Sequence, residues 1–157
     1  MAIVEEGAVV VQESIFIKAA PAEVWKVFSK AEDWTRWNPV CVRALAPKGS
    51  PWARGGRLDL TLRIGDGQRV IRATIVRSEP PAVVEWRDRS YGRHVFSFEP
   101  EEGGTRVTSY HEVAGGFSLR NLLLPVARIR AAPPELRVMA ARWLQALKAE
   151  VEGAAAV

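Results

Sequence analysis

The stretch of sequence that decides the fold is RLDLTLRIGDGQRVIRATI, residues 57–75. Its first half alternates strictly between polar and apolar side chains, and the apolar positions are Leu58, Leu60, Leu62 and Ile64. This period of two is typical of a β-strand with one buried face and one solvated face. A second apolar run follows a break that contains Gly and Asp, so the stretch predicts an antiparallel hairpin.

The loop of this hairpin is predicted to consist of Asp66 and Gly67, because Asp-Gly is a preferred pair for the left-handed positions of a two-residue turn. Gly65 then faces Gln68 across the loop. The resulting register pairs Leu62 with Ile71, Leu60 with Ala73 and Leu58 with Ile75. All of these pairs are apolar and lie on one face, so the turn and the hydrophobic pattern agree.

The sequence on either side of the hairpin predicts five more strands. They lie near residues 9–18, 41–46, 82–88, 92–100 and 104–114. The breaks between the last three contain Pro, Gly and charged residues, which favour turns. Seven strands in an antiparallel meander are therefore expected, after one helical insertion that follows the first strand.

Two short helical pieces make up that insertion. Pro21 suits the first turn of a helix, where its missing N–H costs nothing, and an apolar stripe at helical spacing continues through Ser29. A second piece, Ala31–Trp37, is stopped by Asn38-Pro39.

The end of the chain is predicted to be helical. From Glu135 onwards one face carries apolar side chains at i, i+4 and i+7 spacing, namely Leu136, Ala140, Trp143, Leu147 and Val151. Before it, Leu119–Arg130 forms an apolar and basic helical segment that contains Pro125, and Pro133-Pro134 interrupts the helix. The amphipathic helix is expected to lie on the sheet.

Composition excludes several classes of protein. The 157 residues carry a formal net charge of +4, and the basic residues are scattered along the chain, so no nucleic-acid surface is predicted. A single cysteine, Cys41, excludes a disulfide framework and a Cys-rich zinc site. The first residues are acidic, which is unlike a signal peptide, and no apolar run approaches the ~20 residues of a bilayer span. We therefore expect one cytoplasmic domain over residues 1–157, as a monomer or a homodimer.

Several short segments carry a family likeness. They are Ala20-Pro21-Ala22-Glu23-Val24-Trp25 at the start of the first helix, Trp34-Thr35-Arg36-Trp37-Asn38-Pro39 as a W-x-x-W-x-P segment, Gly103-Gly104-Thr105-Arg106-Val107-Thr108 at the last strand, and Leu144-Gln145-Ala146-Leu147-Lys148-Ala149-Glu150 in the terminal helix. In their order and spacing they resemble the SRPBCC (START-like, helix-grip) superfamily, in its polyketide cyclase/dehydrase and lipid-transport branch. The resemblance extends over nearly the whole chain.

The resemblance implies an α+β helix-grip fold, in which a curved seven-stranded antiparallel sheet wraps around a long C-terminal helix. It also implies a ligand cavity between the sheet and that helix. Extending the hairpin register across the sheet places Leu60, Ala73, Trp86, His94 and His111 in one row of the inner face, with Phe96 and Phe98 turned the same way. The predicted ligand-binding residues are Trp34, Trp37, Leu60, Leu62, Ala73, Trp86, His94, Phe96, Phe98, His111, Met139 and Trp143.

Two functions remain open at this point. The first is binding, and potentially transport, of a small hydrophobic, aromatic, polyketide-like or lipid-like ligand. The alternative is a cyclase or dehydratase in which His94 and His111, the only two histidines, act as acid and base on an enolate. The more favoured interpretation is that the pair satisfies buried polar partners or donates hydrogen bonds to the ligand of a carrier. Two histidines without a third ligand fall short of a zinc site, so neither a metal nor a cofactor is predicted.

The tryptophans and the basic segment also have alternative roles. Trp34 and Trp37 either form the lip of the pocket and stack on a ligand or plug the end of the barrel. Trp52 has no assigned place. The segment Leu119–Arg130 either covers the cavity or, in the less favoured interpretation, contacts anionic lipid as an interfacial helix. A chaperone-like partner protein is a third interpretation of the whole chain.

Overall fold

A computed structural model of the protein describes residues 9–88, 92–113 and 133–155. Its strands are β1 (Val9–Ile17), β2 (Cys41–Leu45), β3 (Arg57–Ile64), β4 (Gly67–Glu79), β5 (Val83–Asp88), β6 (Gly92–Glu101) and β7 (Gly104–Val113). Its helices are α1 (Pro21–Phe28), a 3₁₀ turn at Ala31–Asp33, α2 (Trp34–Trp37) and the long α3 (Pro134–Ala155). The predicted basic segment Leu119–Arg130 lies outside the described residues.

The seven strands form one curled antiparallel sheet in the order β1-β7-β6-β5-β4-β3-β2. Only the connection from β1 to β2 crosses the sheet, and it contains α1 and α2. The long helix α3 packs against β1, β3 and β7 and against α1. The predicted α+β helix-grip architecture is confirmed.

The helix α3 buries the face that the sequence predicts. Leu136, Ala140, Trp143, Leu147 and Val151 are all buried. The helix begins at Pro134, where a proline at the first position costs no hydrogen bond, so Pro133-Pro134 marks the start of the helix. On its other side the Lys148 ammonium donates a hydrogen bond to the Phe16 carbonyl at 2.6 Å, which joins α3 to β1.

The predicted register of the β3-β4 hairpin is wrong by two residues. Gly65 and Asp66 form the loop, and Ile64 lies opposite Gly67. Gly65 has φ of +61°, and Gly67 is not in the left-handed region; a glycine at the first loop position is the requirement of a type II′ turn. Because the shift is an even number of residues, the same face of the hairpin remains buried.

The corrected register changes the row across the inner face. Leu60 lies opposite Ile71, and Leu58 lies opposite Ala73, which in turn faces Asp88 rather than Trp86. Trp86 faces Ile75, next to an irregularity between Ile75 and Arg77. The remainder of the predicted row is confirmed, because Trp86 lies opposite His94 and His94 lies opposite His111.

The two glycines of the hairpin are expected to respond differently to alanine. Gly65→Ala should lower the free energy of unfolding by about 1–2 kcal/mol, because an L-residue is strained at positive φ and the new methyl group would lie 2.9 Å from the Glu135 Cγ. Gly67→Ala should be nearly neutral, since its methyl group meets nothing closer than 3.8 Å. Urea denaturation of both variants measures the difference. The opposite ranking would show that Asp66-Gly67 forms the loop.

Candidate ligand-binding site

Aromatic rings fill much of the space between the sheet and α3. Trp143 of α3 lies edge-on to Trp34 of α2, with ring centroids 5.2 Å apart, and 5.1 Å from Phe96 of β6. Trp86 of β5 stacks on Phe96 at 5.3 Å, and Phe28 of α1 lies 4.9 Å from the same ring. The two sequence-distant halves of the chain therefore meet through ring contacts, each worth about 0.5–1.5 kcal/mol beyond the area it buries.

Trp52, which the sequence leaves without a place, belongs to this aromatic cluster. Its ring lies 5.4 Å from Trp25, 5.6 Å from Phe28 and 6.0 Å from Trp34. Its indole N–H donates a hydrogen bond to the Ser29 carbonyl at the end of α1. The loop before β3 is thus held against α1, which no periodic pattern in the sequence could have indicated.

The structure separates the two tryptophans that the sequence places together at the pocket mouth. Trp34 is fully buried, and its indole N–H donates to the Phe28 carbonyl at 2.7 Å. Trp37 is half-buried and lines an outer groove between α1, α2 and α3, where Arg36 pairs with Glu150. Trp34 is thus a core residue, whereas Trp37 does not reach the space between the sheet and α3.

A small cavity lies beside the aromatic cluster, between the sheet and α3. It is lined by Leu62, Ile64, Arg69, Ile71, Trp86, His94, His111, Val113, Leu136, Met139 and Trp143. The space in which the centre of a water molecule fits is about 20 Å³, which is room for about one water. Apart from Arg69 and the histidines, and apart from the indole nitrogens, the described wall is apolar.

The predicted binding residues other than Trp37 divide into two groups. Leu62, Trp86, His94, His111, Met139 and Trp143 line the cavity. Leu60, Ala73, Phe96 and Phe98 are buried in the core around it, together with Trp34, and do not line it. Sequence reasoning missed Ile64, Arg69, Ile71, Val113 and Leu136. Arg69 could have been found, because it shares the inward parity of Ile71 and Ala73 along β4.

The two histidines form the most distinctive feature of the cavity wall. His94 and His111 lie directly opposite each other on β6 and β7, both are buried, and their Nδ1 atoms are 2.9 Å apart. An N–H···N hydrogen bond needs one protonated and one bare nitrogen. In an uncharged pair the two rings are then opposite tautomers, one carrying its proton on Nδ1 and the other on Nε2.

Burial keeps both rings neutral. The pKa of His94 is lowered to about 4, mainly by desolvation and in second place by the positive charge of Arg69. Desolvation also holds the pKa of His111 well below 6.5, with His94 as a second cause. At neutral pH the pair is uncharged. A proton can cross the bond without leaving an ion pair when one Nε2 gains a proton and the other Nε2 loses one in the same step.

Three nitrogen atoms on side chains of this wall have no hydrogen-bond partner among the described residues. They are the Nε2 atoms of His94 and His111 and the Nε1 atom of Trp143. Leaving a buried donor or acceptor unpaired costs about 1–3 kcal/mol. Such a concentration of unsatisfied polar atoms in an otherwise apolar wall is typical of a site that receives a polar group.

The described residues give little support for a cysteine nucleophile, a metal site or a membrane-spanning helix. Burial raises the pKa of the Cys41 thiol to about 11, so this cysteine is a poor nucleophile. Residues 9–88, 92–113 and 133–155 contain no group of three or more His, Cys, Asp or Glu side chains suited to holding a metal ion. None of the described helices combines the length and the hydrophobicity of a bilayer span.

Comparison with known proteins identifies the family. The sequence profile of the polyketide cyclase / dehydrase and lipid transport family matches residues 8–152, and the chain belongs to this family. No curated protein matches the sequence significantly.

Solved structures share the fold at low sequence identity. The di-domain ARO/CYC StfQ from the steffimycin biosynthetic pathway is 20% identical, with a TM-score of 0.70 over 96% of this chain and 52% of that one. The chain thus spans about half the length of that di-domain protein. The Zhui aromatase/cyclase from Streptomyces sp. R1128 is 15% identical with a TM-score of 0.66, over 92% of this chain and 94% of that one. A START superfamily protein from Mycobacterium smegmatis is 15% identical with a TM-score of 0.64, over 92% and 98% of the two chains.

The neutral histidine pair predicts a pH dependence of stability. Unfolding returns both imidazoles to a pKa near 6.5, so below that pH the unfolded state binds more protons than the folded state. The free energy of unfolding should therefore fall as the pH drops from about 6.5 towards 4, by at most about 1.4 kcal/mol per pH unit for each histidine. Urea denaturation between pH 7 and pH 4 measures this slope.

The matched control is the double variant His94→Gln, His111→Gln, which cannot titrate in that range. The difference in slope between the wild type and this variant isolates the histidines from the carboxylates. Identical slopes would contradict the neutral pair.

The different places of Trp34 and Trp37 predict different costs of substitution. Trp34→Phe should destabilise the fold by about 1–3 kcal/mol, because it removes packing volume and leaves the buried Phe28 carbonyl without its donor. Trp37→Phe should change stability by less than about 0.5 kcal/mol, since the ring is half-buried and its Nε1 has no partner within the described ranges. Thermal unfolding of the two variants compares them directly, and equal losses would place both indoles in the core.

Proposed function

We propose that this protein binds a small hydrophobic or aromatic ligand, polyketide-like or lipid-like, in the cavity between the sheet and α3. The observation that carries the proposal is the composition of the cavity wall. Aliphatic and aromatic side chains surround a few unsatisfied polar atoms, which is the arrangement of a small-molecule site. Membership of a family described by polyketide cyclisation and lipid transport supports the same assignment.

Ligand entry requires side chains to move, because the cavity has room for about one water. Leu136, Met139 and Trp143 form the α3 side of the wall, at the i, i+3 and i+7 positions of that helix. Met139 is unbranched and adapts easily to a new shape. We infer that a ligand displaces the Met139 side chain and occupies the space between it and the inner face of β3 and β4.

A second candidate function, polyketide cyclase or dehydratase, is favoured by the bond between His94 and His111. The bare Nε2 of one ring takes a proton from a substrate carbon, and that ring passes its Nδ1 proton across the 2.9 Å bond. The second ring accepts it on Nδ1 and releases its own Nε2 proton to a substrate oxygen. The rings exchange tautomers, both remain neutral, and a ketone becomes an enol with all protons accounted for.

We also propose that the protein is located in the cytoplasm. The single thiol, Cys41, is buried and unpaired, which suits the reducing cytoplasm that the sequence predicts.

Filling the cavity tests the binding function. Ile71→Phe adds volume to a residue on the cavity wall and should weaken ligand binding at least about tenfold, because the ring occupies the ligand's place. Val70→Phe is the matched control, since Val70 directly precedes Ile71 on β4 and lies on the opposite, solvent-exposed face. The measurement is native mass spectrometry of protein purified from its source, followed by thermal-shift titration with aromatic and lipid ligands.

The outcomes separate the functions. Loss of binding in Ile71→Phe alone supports a ligand site in this cavity. Equal binding in both variants, or no ligand for the wild type, would overturn it. If the protein is also an enzyme, His94→Gln should lower turnover at least about a hundredfold, and an unchanged rate would eliminate the acid-base role.

A further inference from the structure

The unsatisfied atoms of the cavity wall have a defined hydrogen-bonding pattern, which follows from the bond between the two histidines. Because His94 and His111 share one proton between their Nδ1 atoms, their two Nε2 atoms must differ. One Nε2 carries a hydrogen and donates, and the other is bare and accepts. The indole N–H of Trp143, on the same wall, can only donate.

The wall therefore offers two donors and one acceptor, all without partners among the described residues. A hydroxyl group has the complementary inventory, since its oxygen accepts two hydrogen bonds and its hydrogen is donated once. We propose that the cavity selects a neutral ligand bearing a hydroxyl group, such as a phenol, an enol or an alcohol, and that the tautomer-opposed pair of His94 and His111 together with Trp143 recognises this group. The inference rests on the proposed binding function.

Charged ligands of the same size fit this wall less well. A carboxylate can only accept hydrogen bonds, so its lone pairs would face the bare Nε2. An ammonium group can only donate hydrogen bonds, so its hydrogens would face two N–H groups. Either ion would also lose its hydration in an apolar cavity. Arg69 is the charged residue on the described wall, and attraction to its guanidinium is the competing effect that a test must measure.

The histidines cannot adapt by taking up a proton near neutral pH. His94 is flanked by Trp86 and His111, with ring centroids 6.1 and 5.2 Å away, and Phe96 lies edge-on to His111 at 5.6 Å. Burial among these rings, together with the positive charge of Arg69, disfavours an imidazolium, so the pair keeps one donor and one acceptor. A ligand that lacks the matching polar group leaves donors and acceptors of this wall unpaired. Discrimination between ligands on this basis is stronger than discrimination by shape alone.

The test compares phenol, toluene and benzoate, which have similar size and differ in the group attached to the ring. Dissociation constants are measured for the wild type by NMR titration, following the indole N–H of Trp143. Phenol should bind about tenfold more tightly than toluene, the equivalent of about one to two net hydrogen bonds, and more tightly than benzoate. Toluene reports on the apolar cavity alone.

Two variants complete the test. His94→Phe should reduce the affinity for phenol to that for toluene, with the affinity for toluene changed by less than about threefold. Ser109→Ala is the matched control, because Ser109 is buried on β7 beside the pair and does not line the described cavity, and it should leave the preference for phenol intact.

A second measurement does not depend on variants or ligands. Nitrogen chemical shifts of the two imidazoles at pH 7 should show one ring protonated only on Nδ1 and the other only on Nε2. Two identical tautomers, or a charged ring, would overturn the inference, as would equal affinities for phenol and toluene or a preference for benzoate. Binding of toluene without a preference for phenol refutes only the inference, whereas failure of all three probes to bind refutes the proposed function itself.

Discussion

The packing of aromatic rings in the enclosed space between the curled sheet and α3 is the interaction on which the rest of the structure depends. Trp143 is the only tryptophan that α3 contributes, and it contacts rings from α2, β5 and β6. Because these rings are bulky and rigid, they set the separation of helix and sheet. The cavity is the residual space at the side of this cluster, where Met139 and Leu136 replace aromatic rings.

The two buried histidines gain one hydrogen bond in this interior and lose their contacts with water. Apolar neighbours strip water from His94 and His111, which keeps both rings neutral and makes their mutual hydrogen bond the favourable state. The same neighbours leave the outer nitrogen of each ring without a partner among the described residues. The stability lost there is offset by the aromatic contacts around it, and the unsatisfied atoms are then available to a ligand. The same exclusion of water therefore stabilises the fold and leaves polar atoms free to bind a ligand.

Particular residues show how far the sequence reaches. The alternation of β3 and the face of α3 were predictable, because each depends on a local period of two or 3.6 residues. The pairing of His94 with Trp86 and with His111 was predictable from that alternation together with the positions of the turns between the strands. The register of β3 on β4 was not, since Asp66-Gly67 and Gly65-Asp66 are both acceptable loops and differ by two residues in pairing. The apolar pattern cannot detect an even shift, because such a shift leaves every side chain on its own face.

The sequence by itself determined the order of strands and helices along the chain and the buried face of each, because these follow from hydrophobic periodicity and short turn signals. The helix-grip family followed from the resemblance of several short segments in their order and spacing. Only the tertiary structure decided which residues meet. It placed Trp34 in the core and Trp37 in an outer groove, packed Trp52 on α1 and brought the Nδ1 atoms of His94 and His111 within hydrogen-bonding distance. Contacts between distant segments depend on packing volume and on the desolvation of individual polar atoms, and neither leaves a periodic mark in a sequence.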